Sequence, residues 1–168
     1  MNINPLLYTD GYKVDHRRQY PNATTLVYSN WTPRKSRVQG VEEVVFFGLQ
    51  YFIKQYMLEA FQKDFFDRPK SEVVQQYAHR INTYLGNNAV GTEHIAALHD
   101  LGYLPMVIKA LPEGASVPIR VPMFTMYNTQ SEFFWLTNYF ETLLSTTVWL
   151  PCNSATLAKQ YRKILDQY

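Results

Sequence analysis

The chain has 168 residues, 46% of them hydrophobic and 15% aromatic, with 13 Tyr and 10 Phe; that is enough apolar material for the core of one ordinary domain, and it excludes a disordered chain. Sixteen basic against fourteen acidic side chains leave a net charge of +2, too near balance for a general binder of nucleic acid or of a membrane surface. The lone cysteine, Cys152, excludes an internal disulfide, and no Cys/His spacing of the zinc-holding kind is present, so a reducing, cytoplasmic setting and no metal site are expected.

The opening residues, MNINPLLYTDGYK, hold no basic stretch followed by an apolar run, and no secretory signal is expected. Thr9 and Asp10 precede a short helical pattern through Tyr12, Val14, His16 and Tyr20 that Pro21 ends, because proline disfavours helix at the residue before it. Thr24 to Trp31 is rich in β-branched and aromatic residues and reads as a strand, followed by the basic loop Pro33-Arg34-Lys35-Ser36-Arg37. From Glu42 to about Phe61, Val44, Phe47, Tyr51 and Leu58, with Val45, Leu49, Phe52 and Tyr56 beside them, recur at helical spacing, and Glu42 and Glu43 suit a first turn. A second helix is expected over Ser71 to Leu85, capped by Ser71, with Val73, Val74, Tyr77, Ala78, Ile81 and Tyr84 as its buried stripe and Gly86 as its stop. A third, short helix covers Glu93 to Asp100, before Gly102.

Met106 to Leu111 is an apolar run of strand length, followed by the turn Pro112-Glu113-Gly114 and two further strand-like pieces up to Tyr127. Pro118 and Pro122 demote at least one of these to an edge. Thr129-Gln130-Ser131-Glu132 has capping-box spacing, and the helix it opens is apolar nearly all round, through Phe133, Phe134, Leu136, Tyr139, Phe140, Leu143 and Leu144. Asn138, Glu141 and several threonines count against this stretch as a membrane span. Asn153 to Tyr168 restarts a helical pattern with Leu157, Tyr161, Ile164 and Leu165 and meets no terminator. With no repeat or linker, residues 1–168 are expected to form a single structural unit that ends in mid-helix.

Four blocks in this order carry a resemblance. They are Leu7-Tyr8-Thr9-Asp10-Gly11-Tyr12-Lys13-Val14-Asp15-His16 with Gln19-Tyr20-Pro21; Val45-Phe46-Phe47-Gly48-Leu49-Gln50-Tyr51; Ile108-Lys109-Ala110-Leu111-Pro112-Glu113-Gly114; and Trp135-Leu136-Thr137-Asn138 with Glu141-Thr142. Together they resemble the nicotinamide phosphoribosyltransferase family, over the whole chain. The resemblance implies the α+β N-terminal portion of a type II phosphoribosyltransferase, with the α/β barrel-like core missing and helices packed on a small mixed or antiparallel sheet. It implies a homodimer whose active sites lie between subunits, with nicotinamide and phosphoribosyl pyrophosphate as substrates and Mg²⁺ accompanying the latter; the charge balance and the polar residues noted above add the expectation of no nucleic acid or membrane partner.

The same resemblance implies roles for three residues. Tyr12 occupies the position that stacks on the pyridine ring from across the dimer, and offset stacking adds about 1 kcal/mol beyond buried area. Arg34 occupies the position that meets substrate phosphate, a task suited to a guanidinium fork; Lys35 and Arg37 beside it also fit plain solvated surface. Asp10 either lines the same pocket or serves as a helix N-cap. His16 is expected to hydrogen-bond structurally, and His79, His94 and His99 have no spaced partner that would make a base or metal ligand. Glu113 is assigned to the hairpin turn, and Glu141, on an apolar helix, is expected to meet a buried partner. Cys152 lacks a paired base, which argues against a nucleophile.

No catalytic residue is expected within these positions, since the family's segments for ribose phosphate, carboxamide and catalytic histidine lie beyond them. Two departures stand out: Gly11 replaces a small polar residue of several relatives, and Phe61 to Leu101 matches only loosely. Three readings therefore stay open: nicotinamide phosphoribosyltransferase, its nicotinate-using counterpart, and a non-catalytic aromatic and basic binding or dimerisation module.

Overall fold

In the computed structural model of the protein, which describes residues 3–168, two small antiparallel ladders set the scaffold. The strands are β1 (Tyr28–Trp31), β2 (Glu43–Val45), β3 (Met106–Ala110), β4 (Ser116–Pro118) and β5 (Phe124–Asn128). β5 lies between β1 and β3 and is antiparallel to both, with Phe124 opposite Trp31 on one side and Ala110 on the other. Its residues alternate, Phe124, Met126 and Asn128 buried and Thr125 and Tyr127 half-buried, as one-sided packing of a pleated strand requires. β2 and β4 form a separate pair, Val44 opposite Val117, with Pro118 at its end, which is the edge position that proline tolerates.

The helices are α1 (Lys13–His16), followed by a 3₁₀ turn over Arg17–Gln19; α2 (Leu49–Phe52), which continues as wide π-helical turns over Ile53–Ala60 and Gln62–Phe66; α3 (Lys70–Leu85); α4 (Glu93–Leu101); α5 (Leu136–Tyr139); and α6 (Glu141–Leu165). Their apolar faces meet in one core in which aromatic rings contact edge to face, Phe61 against Phe140 at 5.5 Å and His94 against Trp135 at 5.0 Å between centroids. The α+β architecture with antiparallel sheets is the one expected. Among the described residues no helix is long and apolar enough to cross a membrane.

The helix expected from Glu42 does not start there. Glu43 to Val45 is a strand, because it pairs with Ser116–Pro118 some seventy residues away, Val44 opposite Val117, and Gly48, at φ 99°, turns the chain before Leu49. The expected stripe shifts with it: Phe47, Tyr51 and Leu58 are exposed, whereas Phe52, Met57, Phe61 and Phe65 are buried. Their gaps of five, four and four residues are wider than a 3.6-residue α-helical turn and match the wide i→i+5 turns found there. Glu113 supplies the missing cap. Its Oε1 accepts from the amides of Gly48 at 3.1 Å and Gln50 at 2.8 Å, placing a negative charge at the helix start. Glu113→Ala is therefore expected to cost about 1–2 kcal/mol in urea unfolding, with Glu113→Gln keeping most of the stability.

Three smaller expectations also change. Ser71 does not cap α3, which begins at Lys70 after Pro69 with no side-chain cap bond. Tyr84, placed in the buried stripe by spacing, is exposed, and its hydroxyl lies 2.4 Å from where a Gly11 Cβ would stand, so the missing side chain at position 11 makes room for it. Thr129 and Glu132 form no capping box: the chain enters through a 3₁₀ turn over Ser131–Phe133 with Gln130 at its start. The first of the two C-terminal helical patterns breaks at Phe140, after α5, and its remainder joins the second, since α6 runs on through Pro151. Pro151 has no amide to donate to the Thr147 carbonyl, and the helix is held around that gap by side chains. Cys152 Sγ donates to the Phe47 carbonyl at 3.2 Å, and Thr156 Oγ1 donates to the Cys152 carbonyl and accepts from the Val45 amide.

Candidate functional site

The segment Thr9 to Lys13 lies across the start of α6 and the end of α5. Thr9 Oγ1 donates to the Tyr139 carbonyl at 3.2 Å, the Asp10 amide donates to Thr142 Oγ1 at 3.3 Å, and the Thr142 hydroxyl donates to Asp10 Oδ2 at 2.7 Å. Asp10 is thus an anchor to α6; its side chain does not cap α1, whose first residue follows Tyr12 without a side-chain cap bond. Oδ1 of Asp10 has no protein partner among the described residues, and the residue is exposed.

Within this anchored segment Lys13 and Tyr12 part company. Lys13 is only 3% exposed and its ammonium pairs with Oε2 of Glu141, the buried partner expected for that glutamate. Tyr12 is 53% exposed. Its ring meets His16 edge to face, 5.2 Å between centroids at 69°, and has the Lys13 ammonium 5.0 Å from its centre. His16 makes this ring contact in place of the structural hydrogen bond expected of it; none is found for it among the described residues.

Arg34 leaves from the other end of β1. The Trp31 carbonyl accepts from the Met123 amide at 2.9 Å, and the carbonyl of buried Pro33 accepts from the Arg120 amide at 2.7 Å, so the loop is pinned at its root. Beyond that point Arg34, Lys35 and Arg37 are exposed, and among the described residues Arg34 makes no hydrogen bond or ion pair. Trp31 packs edge-on against Trp149 of α6 at 5.3 Å. The loop and the Tyr12 segment therefore share α6 as their support, although no contact joins Arg34 to Tyr12 or Asp10.

The remaining titratable groups of note are structural. Burial, with the Arg17 charge adding to it, pushes the His94 imidazole down to about 3, so it is neutral in the core. Burial raises the Tyr77 phenol to about 12 and holds the Tyr139 hydroxyl well above its ordinary range. Burial also raises the Cys152 thiol, against a smaller opposing effect from its Phe47 backbone hydrogen bond, which is the reverse of nucleophile activation. Among the described residues no three His, Cys, Asp or Glu side chains gather as a metal site. An apolar cavity of about 880 Å³ lies between the wide turns and β3, lined among others by Met57, Phe66, Leu104 and Met106; Asp10, Tyr12 and Arg34 are not part of it.

Residues 4–108 match the family described as nicotinamide phosphoribosyltransferase, N-terminal domain. The chain is 53% identical over 171 residues to the nicotinamide phosphoribosyltransferase of Acinetobacter baylyi, an alignment covering 99% of this chain and 34% of that protein. It is 30% identical over 182 residues to the nicotinamide phosphoribosyltransferase of Mycoplasma pneumoniae, covering 99% of this chain and 40% of the relative. It thus spans between about a third and two fifths of the length of these curated relatives. In three dimensions it is similar to human nicotinic acid phosphoribosyltransferase, with a TM-score of 0.57 at 19% identity over 83% of this chain and 25% of that one, a likeness that concerns the fold alone.

Proposed function

As the chain belongs to the nicotinamide phosphoribosyltransferase family, we propose that it forms part of an enzyme that joins nicotinamide to phosphoribosyl pyrophosphate. The products are nicotinamide mononucleotide and pyrophosphate, a salvage step towards NAD carried out in the cytoplasm. The observation that carries this reading is Tyr12: a half-exposed aromatic ring on a segment fixed by three hydrogen bonds and by the ion pair of buried Lys13 with Glu141. A ring that serves only packing has no need of such fixing at the surface.

In the reaction the pyridine nitrogen attacks C1 of the ribose, the C1–O bond to pyrophosphate breaks, and the leaving group takes the electron pair as the nitrogen becomes a pyridinium. Tyr12 holds the flat base by stacking, so that its nitrogen meets C1 in a productive orientation. Arg34, with an uncommitted guanidinium, offers paired donors to phosphate oxygens. Asp10 anchors the segment through Oδ2 and lines the pocket with Oδ1. Tyr12 is half exposed, which leaves its ring free to complete a pocket of a second copy in a homodimer. Mg²⁺, which is held largely through substrate phosphates, would accompany phosphoribosyl pyrophosphate; among the described residues no three His, Cys, Asp or Glu side chains gather to hold it, and no step of this scheme runs through it.

The test is steady-state kinetics of the complete enzyme. Tyr12→Ala is expected to raise KM for nicotinamide about tenfold or more, as loss of roughly 1.4 kcal/mol or more of binding implies, with KM for phosphoribosyl pyrophosphate nearly unchanged. Arg34→Ala is expected to do the converse. Unaltered nicotinamide kinetics in Tyr12→Ala would remove the basis of the assignment, and nicotinate assayed alongside separates amide from acid preference.

A further inference from the structure

Lysine is almost never fully buried without a compensating partner, and here the compensation is lopsided. Lys13 is 3% exposed while Glu141, which holds its ammonium, is 56% exposed. The cost of stripping water from the ammonium is met by a carboxylate that stays largely in water, where the attraction is screened. An apolar side chain of similar length would pack the same site at lower cost, so stability of the fold does not account for a lysine here. What an apolar residue would not supply is the cation 5.0 Å from the centre of the Tyr12 ring, within the distance over which a ring face attracts a positive charge. His16 borders the same ring edge to face. Tyr12 is thus held by two neighbours while half its surface remains open.

We propose that Lys13 is a positioning residue: its buried ammonium, tethered to Glu141, fixes the Tyr12 ring in the orientation that receives the pyridine base. This rests on the stacking role given to Tyr12 above. The gain comes from pre-organisation. A tyrosine already confined to one orientation loses less side-chain freedom when the base arrives, and that saving appears in affinity for the base and nowhere else. Glu141 acts one step further out, by keeping the ammonium from drifting away from the ring.

The experiment is a double-mutant cycle in the complete enzyme with Lys13→Met, Tyr12→Ala and the combination, with KM and kcat measured for both substrates. Lys13→Met is expected to raise KM for nicotinamide about fivefold, leaving kcat and KM for phosphoribosyl pyrophosphate within about twofold. In the Tyr12→Ala background the same change is expected to add less than about twofold, because the ring through which it acts is gone. A Lys13→Met enzyme with normal nicotinamide KM beside a damaged Tyr12→Ala overturns this inference alone. A silent Tyr12→Ala overturns the stacking role and this inference with it. Equal losses for both substrates, or an undiminished effect without the ring, assign Lys13 to general structure and also overturn the proposal. Should Lys13→Met not fold, Glu141→Gln, on the exposed side of the pair, takes its place in the cycle, with a smaller nicotinamide-specific rise supporting the proposal and a normal KM overturning it.

Discussion

Gly48→Ala is expected to destabilise the chain by about 3 kcal/mol. Two costs add. Gly48 sits at φ 99°, ψ −3°, a left-handed conformation that costs a residue with a Cβ about 1–2 kcal/mol. In addition, a Cβ at this position would stand 2.7 Å from Pro151 Cβ and 2.8 Å from its Cγ. Proline is a closed ring within α6 and cannot swing aside, so the helix itself must shift, at a typical overpacking cost of about 1–3 kcal/mol. In a protein of this size the combined loss corresponds to a melting temperature lower by roughly 6–12 °C. Gly40→Ala is the control. Gly40 also has a positive φ, 75°, but nothing lies within 4 Å of its added Cβ, so it carries the backbone cost alone. Equal melting temperatures for the two variants would dismiss the Pro151 contact.

Acid is expected to unfold the protein largely through His94. This imidazole is 6% exposed, lies between the rings of Tyr77 and Trp135, and is pushed from 6.5 to about 3 by burial and then by Arg17. The unfolded chain takes up a proton at this residue below pH 6.5, whereas the folded chain refuses it until about pH 3. The associated stability is therefore complete above pH 6.5 and is lost as the pH falls towards 3. The loss amounts to about 2 kcal/mol at pH 5 and approaches 5 kcal/mol over the whole window. Urea unfolding at a series of pH values measures it. In His94→Leu the dependence between pH 6 and 4 should flatten by about 1.4 kcal/mol per pH unit; parallel curves for the two proteins would show that another group governs acid unfolding.

Elements built on local pattern were legible in the sequence. Expected spans of Ser71 to Leu85 and Glu93 to Asp100 became Lys70–Leu85 and Glu93–Leu101, and the apolar run after Pro105 became the strand Met106–Ala110. What failed was decided elsewhere in the chain. Val44 and Val45 fit a helical stripe as well as a strand, and only Val117 and Ser116 opposite them settle the choice. Cys152 and Thr156, which steady α6 beyond Pro151, find Phe47 and Val45 more than a hundred positions earlier. The site divides the same way. Asp10 and Tyr12 stood out through a matching block, Arg34 through its place in the basic loop after the strand ending at Trp31, and Glu141 as a charge on an apolar helix. Lys13 as its partner, 128 positions away, had no local signal.

Helix α6 grips Asp10 at Thr142 and Trp31 at Trp149, seven residues apart, or about 10 Å of helical rise on the same side of the rod. The two outward-facing stretches that carry Tyr12 and Arg34 are therefore gauged by the pitch of a single helix and not by the length of chain between them. Extra residues in the connection from Tyr20 to Val27 would leave that spacing untouched, and any tilt of the rod carries ring and guanidinium together, as two jaws on one mount.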